Sequence, residues 1–217
     1  MIRAGEPWGE PYTGAVDLEV RGGDADLAAL LPDRRGALVR FRPDPASDLA
    51  RAVGASGSAT PAGVAVTIDA IAVEPGGFSV NGVVVGTSPA RLRATTPSAN
   101  VRVAVDGREV AAGPATTVVV ASGQFFDGLD VVPRGHPGDG RLEVQVYALR
   151  RGERAALRRR LPAGVHLPHP RVVTASGRAV EVHVDRVRLP LRIDGVARGD
   201  VADLTATVVP GALRLAL

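Results

Sequence analysis

Four stretches in which apolar residues take every second place constrain this chain more than any other feature. They are Val101, Val103 and Val105; Leu142, Val144, Val146 and Ala148; Val180, Val182 and Val184; and Leu189, Leu191 and Ile193. Side chains two apart share one face of a strand, so each stretch presents an apolar face and leaves a second face to its intervening residues. Sheets with one dry face are antiparallel and pack in layers. Asp106-Gly107 and Asp194-Gly195 follow two of these stretches and supply the dipeptide of a type I′ hairpin. The expectation is a mostly β (α+β) chain: an antiparallel two-layer β-sandwich or partly closed barrel over residues 56–217. Arg151 to Leu161 is the one convincing helix of that part.

Residues 1–55 follow a different rule. Val16 to Val20 and Ala37 to Phe41 read as strands, and Arg21-Gly22-Gly23 breaks the first of them. Asp24 is placed to cap a short helix reaching Leu31, before Pro32. A second helix is expected from Pro45 to Val53, with Gly54 after its end. The small-residue stretch Gly54 to Gly63 reads as a linker. The first unit is therefore a small α/β segment. With 45% hydrophobic and 23% charged residues, the chain has the balance of a globular protein. Its 3% aromatic content leaves Val, Leu, Ala and Ile to fill the core. The absence of cysteine excludes disulfides, thiolate metal sites and thiol nucleophiles together. The N-terminus carries no signal-peptide pattern, and Val118 to Ala121 typifies the longest apolar runs, so a cytoplasmic location is the default expectation.

Gly22-Gly23-Asp24 sits where a strand meets a helix N-terminus, an arrangement whose free N–H groups and dipole attract phosphate. The stretches around it extend the pattern. Gly22-Gly23-Asp24-Ala25-Asp26, then Ala37 to Phe41, then Pro43-Asp44-Pro45-Ala46-Ser47-Asp48-Leu49-Ala50-Arg51 follow in order. They resemble the bacterial diacylglycerol and lipid kinase family, related to the NAD kinases, with its G-G-D-G-T and P-x-G-T-x-N-D-x-A-R motifs. Val118 to Leu129 looks like that family's strand leading into N-G-x-x-x-G-G-G. Pro133 with Gly138 to Val144 resembles its P-x-A-x-x-x-D-G-x-L-D-V. Gly164-Val165-His166-Leu167-Pro168-His169-Pro170 resembles its G-x-H-x-x-H-P, and Arg192-Ile193-Asp194-Gly195 its closing D-G-E strand. The resemblance implies a lipid-kinase-like C-terminal sandwich preceded by a truncated piece of the nucleotide-binding domain.

The departures bear on chemistry. Only 21 residues precede Gly22, fewer than the roughly 30 of one βαβ unit. Ala25 stands where the family has Gly, and Asp26 where it has Thr. A carboxylate facing phosphates repels them by about 1 kcal/mol in water and about 4 near a protein surface at ~4 Å, unless a metal ion intervenes. The resemblance makes the Glu of D-G-E a general base; Asp194 is retained, but Val196 replaces that Glu, and Val cannot take a proton. Asp139 matches an acidic position of the family's structural magnesium loop and is equally an Asp-Gly turn.

The charged run Arg150, Arg151, Arg154 and Arg158 places cations on one helical face. It reads either as a contact for anionic lipid headgroups or as a solvated face. All 26 basic residues are Arg, which we read first as compositional bias. His166, His169 and His183 lack metal-ligand spacing and read as locally hydrogen-bonded histidines. A net charge of only +3 and few aromatic residues argue against nucleic acid. The expected function is a non-catalytic lipid-kinase-like protein that binds a lipid or small ligand, or serves as an interaction module, with no cofactor. One alternative is a lipid kinase using ATP and Mg²⁺ only when a partner kinase chain supplies the nucleotide site. The other is a basic structural protein of the membrane surface. A homo-oligomer fits any of these.

Overall fold

The alternating segments become strands because their valines and leucines meet across two sheets. The computed structural model describes residues 8–55 and 63–216. Its first part runs Glu10–Pro11 (β1), Leu18–Gly22 (β2), Asp24–Ala28 (α1), Leu38–Pro43 (β3) and Asp48–Ala52 (α2). Val64–Glu74 (β4), Gly77–Ser79 (β5), Gly82–Gly86 (β6), Ala99–Val105 (β7) and Arg108–Ala115 (β8) follow, then Thr117–Ala121 (β9), Phe125–Phe126 (β10) and Leu129–Asp130 (β11). The remainder is Leu142–Tyr147 (β12), Arg154–Arg160 (α3), Val172–Gly177 (β13), Ala179–Val184 (β14), Leu189–Ile193 (β15), Val196–Val201 (β16) and Asp203–Ala216 (β17).

One sheet has the order β1-β4-β17-β14-β7-β8, and the other β13-β12-β9-β6-β15-β16. All pairings of the second sheet are antiparallel, with Val144 opposite Val120 and Val120 opposite Val83. The core between the layers is the alternation made physical: Val101, Val103 and Val105 face Leu142, Val144 and Val146, and Val180, Val182 and Val184 join them. The outer face of the second sheet is covered too. Leu157 and Leu161, from α3 and the turn after it, pack on Val84, Val119 and Tyr147. The Val118 to Ala121 run is unbroken for this reason, since both of its faces are dry. Both Asp-Gly pairs make the expected turns: Asp106 and Gly107 have φ of 49° and 76°, and Asp194 and Gly195 47° and 76°.

Two strands are much longer than the short pattern expected. β4 has 11 residues and β17 has 14. β17 bends at Pro210-Gly211, where its register with β4 shifts between Val209 and Leu213. Gly211 takes φ +60°, and its N–H donates to Asp69 Oδ1 at 2.9 Å. The other oxygen of this buried carboxylate accepts from the Gly140 N–H at 2.6 Å. Before the bend β17 pairs with β14 and β4; after it, with β4 and, in parallel, β3. Since β3 pairs in parallel with β2, the α/β segment continues the sheet of the sandwich. Leu27, Leu31, Val39, Phe41 and Leu49 share a second core with Ile68, Leu213 and Leu215.

The helices correct the sequence reading in detail. α1 ends at Ala28, and its N-cap is Gly23; Asp24 is the first helical residue and turns its carboxylate elsewhere. α2 begins at Asp48, capped by Ser47, whose Oγ accepts from the Ala50 N–H at 3.0 Å. α3 begins at Arg154, because Glu153 is engaged by the Arg150 N–H in the turn before it. Trp8 packs into the second core, edge-on to His136 at 4.6 Å between centroids. Most of the expected linker, and Pro7, lie outside the described residues.

Candidate functional site

The Gly22-Gly23-Asp24 loop lies at the N-terminal end of α1, where a phosphate would be cradled. The chain's own carboxylates occupy that place. The Gly23 N–H donates to Asp26 Oδ2 at 2.8 Å, and a Cβ added to Gly22 would collide with the same carboxylate. Asp24 reaches across to the start of α2. It accepts from Ser47 Oγ at 2.5 Å, from the Asp48 N–H at 3.2 Å and from the Leu49 N–H at 3.0 Å. Those N–H groups have no partner within α2, being at a helix start, and the Asp24 carboxylate takes the place that an outside anion would seek. Burial is the chief reason the Asp24 carboxyl is pushed up to about 6; the nearby Asp194 charge adds to it, and the Ser47 bond opposes it.

Asp194 serves as both turn and buried acceptor. One oxygen accepts from Ser79 Oγ at 2.6 Å and from the Asn81 and Gly82 N–H groups at 3.0 Å, and the other from the Val80 N–H at 2.9 Å. Burial raises its pKa against the pull of these four donors. Val196, two residues on, is exposed at the start of β16 and offers no titratable group. Asp48 and Asp127 complete the junction. Asp48 Oδ1 accepts from the Gly128 N–H at 2.8 Å, and Asp127 accepts from Ser88 Oγ at 2.6 Å. Burial raises Asp48, and the charges of Asp24 and Asp127 raise it further. Asp24 of the Gly22-Gly23-Asp24 loop and Asp194 thus lie near enough for one charge to act on the other, a proximity that the sequence did not indicate. The structure adds Ser47, Asp48, Ser79, Asn81 and Asp127 to this junction; Ser47, Asp48 and Asp127 lie in stretches that carry the family resemblance, and Ser79 and Asn81 lie in none.

This geometry does not fit a bound ATP-Mg²⁺ on the Gly22 to Asp26 loop, because the cradle is already filled by Asp26. Asp139 lies apart in a turn, its Oδ1 accepting from the Arg141 N–H at 2.9 Å. Both oxygens of its neighbour Asp69 are taken by backbone N–H groups, and among the described residues no three His, Asp or Glu gather as a metal site. His166 is buried against the Val131 carbonyl, and His183 pairs with Asp203 at 2.6 Å. A groove of about 470 Å³ opens on the outer face of β12 and β13, floored by Glu143, Gln145, Thr174 and Ser176, with Arg134 and His169 among its walls. Burial raises Glu143 there.

The arginine face expected on α3 needs correcting. Arg150, Arg151 and Arg158 are exposed, but Arg154 is 3% exposed and takes no part in the surface. Its guanidinium donates to the carbonyls of Leu149, Arg93, Ala94 and Thr96 and to Ser98 Oγ. Arg158 donates to the Leu92 carbonyl one turn later. Helical spacing identified the shared face, and that face turns onto a loop that no local pattern reveals. Among the described residues no helix is long and apolar enough to cross a membrane.

Residues 62–217 match the family described as the YegS C-terminal NAD kinase beta sandwich-like domain. No curated protein matches the sequence. The fold is similar to that of a diacylglycerol kinase from Bacillus anthracis str. Sterne, with a TM-score of 0.68 and 15% identity over 92% of this chain and 76% of the other. A further chain from the same strain gives 0.73 and 14% over 92% and 78%. Yeast NADH kinase complexed with NADH gives 0.50 and 12% over 92% of this chain and 61% of that one. At these identities the likeness establishes the fold.

Proposed function

The chain belongs to the YegS C-terminal NAD kinase beta sandwich-like domain family, and from that premise we propose that it is a non-catalytic, lipid-kinase-like module that binds a lipid or another small ligand. One observation carries this reading. The loop that would hold a nucleotide's phosphates is closed by Asp26 on the Gly23 N–H, while Asp24 caps the start of α2. An incoming triphosphate would have to displace two carboxylates and would meet their charge. At the acceptor end, Asp194 is fully committed to four donors and Val196 cannot accept a proton. The groove beside Glu143 and Gln145 offers room for a ligand with hydroxyl or amine groups.

Purified protein incubated with labelled ATP, Mg²⁺ and diacylglycerol is expected to give no phosphorylated lipid above a mock preparation. Turnover by the isolated chain would overturn the reading. A second reading has its own support: β2 pairs with β3 on one side and, among the described residues, with no strand on the other. A partner chain could extend the sheet there and bring a nucleotide site with it. That reading predicts activity only in a mixture, with an ATP-binding protein copurifying.

A further inference from the structure

A chain whose formal net charge is only +3 gathers six exposed arginines at one end: Arg93, Arg150, Arg151, Arg158, Arg159 and Arg160. The gathering is built into the fold. Buried Arg154 ties the carbonyls of Arg93, Ala94 and Thr96 to α3, and Arg158 ties Leu92, so the 92–98 loop and the helix form one rigid unit. The acids beside this unit are engaged. Glu153 pairs with Arg171 at 3.3 Å and with the Arg150 N–H, and Asp127 accepts from Ser88 with Arg91 at 4.0 Å. Val165 stands 61% exposed just past the helix, its N–H on the Arg160 carbonyl. A cationic face with an apolar residue at its edge supplies the two contributions that peripheral attachment needs: attraction to anionic headgroups and a side chain that enters the interface. The turn after α3 packs against β11, so the face adjoins the hairpin that closes the Asp48 junction.

We propose that this end of the molecule docks on an anionic phospholipid surface, with Arg151, Arg158, Arg159 and Arg160 on the headgroups and Val165 at the interface. The docking serves a ligand-binding module and a partner-dependent kinase alike, so it stands apart from the fate of the nucleotide loop. Each arginine near such a surface contributes about fivefold to partitioning.

The full chain is to be cosedimented with vesicles of phosphatidylcholine alone and of phosphatidylcholine mixed with phosphatidylglycerol, at low and high salt. Binding is expected only to the anionic vesicles, weakening as salt rises. The exposed triple variant R151E/R159E/R160E, which leaves the Arg158 tie to Leu92 in place, should lose binding by about a hundredfold or more, and Val165→Asp should weaken it without changing the salt slope. Equal binding to both vesicle types, salt-independent binding, or an unchanged triple variant that melts like the parent would overturn the proposal. Duplex DNA competing the protein off vesicles at equal phosphate concentration would also overturn it, assigning the face to polyanions at large.

Discussion

Asp24 shows how much a single carboxylate can report. Its side chain is buried at the junction and held by three donors, yet its pKa is raised to about 6 from 3.8, because loss of hydration outweighs those bonds. Between those two values the folded chain holds more protons than the unfolded one, so stability is greatest on the acid side and falls as pH rises through about 6. The difference corresponds to ~3 kcal/mol. Asp48 and Asp194, raised mainly by burial as well, act in the same direction, while Glu19, lowered by its bonds to Arg42 and Arg21, acts in the other. Urea unfolding at about pH 4 and about pH 7 should show the chain more stable at the lower value, and Asp24→Asn should reduce that difference, leaving the part that Asp48 and Asp194 contribute. An unchanged slope in the variant would place the titration elsewhere. The sequence exposed Gly22-Gly23-Asp24 as a phosphate-like loop, but it assigned Asp24 to its own helix. The true partners, Ser47 to Leu49, begin a different element, and no spacing rule connects the two.

At the scale of elements, α3 separates surface charge from structural charge. Helical spacing puts Arg154 and Arg158 on one face and could not say which way that face turns. The deciding fact is that Leu157 and Leu161 share it and bury against Tyr147, which carries Arg154 inward. A buried cation without a carboxylate survives here because carbonyls and Ser98 Oγ receive its donors; burial still lowers its pKa. Arg154→Ala would leave the carbonyl of buried Leu149 without this donor, at about 1–3 kcal/mol for an unpaired buried group, and would release the carbonyls of the 92–98 loop, so a loss of ~3 kcal/mol is expected. Arg159→Ala, on the exposed side, should stay within about 0.5 kcal/mol. Hydrogen exchange sharpens the contrast: amides of the 92–98 loop should exchange faster in the Arg154 variant and not in the Arg159 variant. Equal effects of the two substitutions would mean that the loop is held by something else. The strands themselves were more legible than the helices, because alternation reports on one face at a time. β7, β12, β14 and β15 fall where Val and Leu take every second place.

For the whole molecule, the sequence divided the chain at residue 55, where composition shifts to small residues. What it could not contain is the pairing of Leu38, Val39 and Arg40 with Arg214, Leu215 and Ala216, which joins the α/β segment and the last strand in one sheet. β17 and β4 run through both cores, held at their common bend by Asp69 bridging Gly140 and Gly211. Unfolding either half of these two strands removes the neighbour against which the other half packs and frees the Asp69 bridge, so the two cores should melt together. Leu49→Ala, in the second core, is expected to cost about 2–5 kcal/mol, and Val120→Ala, between the sheets, a smaller amount because fewer methyl groups are removed. Calorimetry should show one transition in the parent chain, and both variants should shift it whole, with calorimetric and van't Hoff enthalpies in agreement. If Leu49→Ala instead split off an early transition while the main peak stayed in place, the α/β segment would be an independent unit. Asp69→Ala tests the same coupling at the bend. The N–H groups of half-buried Gly140 and exposed Gly211 lose their acceptor, and if the cores are one unit the single transition should move down by ~1–3 kcal/mol without broadening.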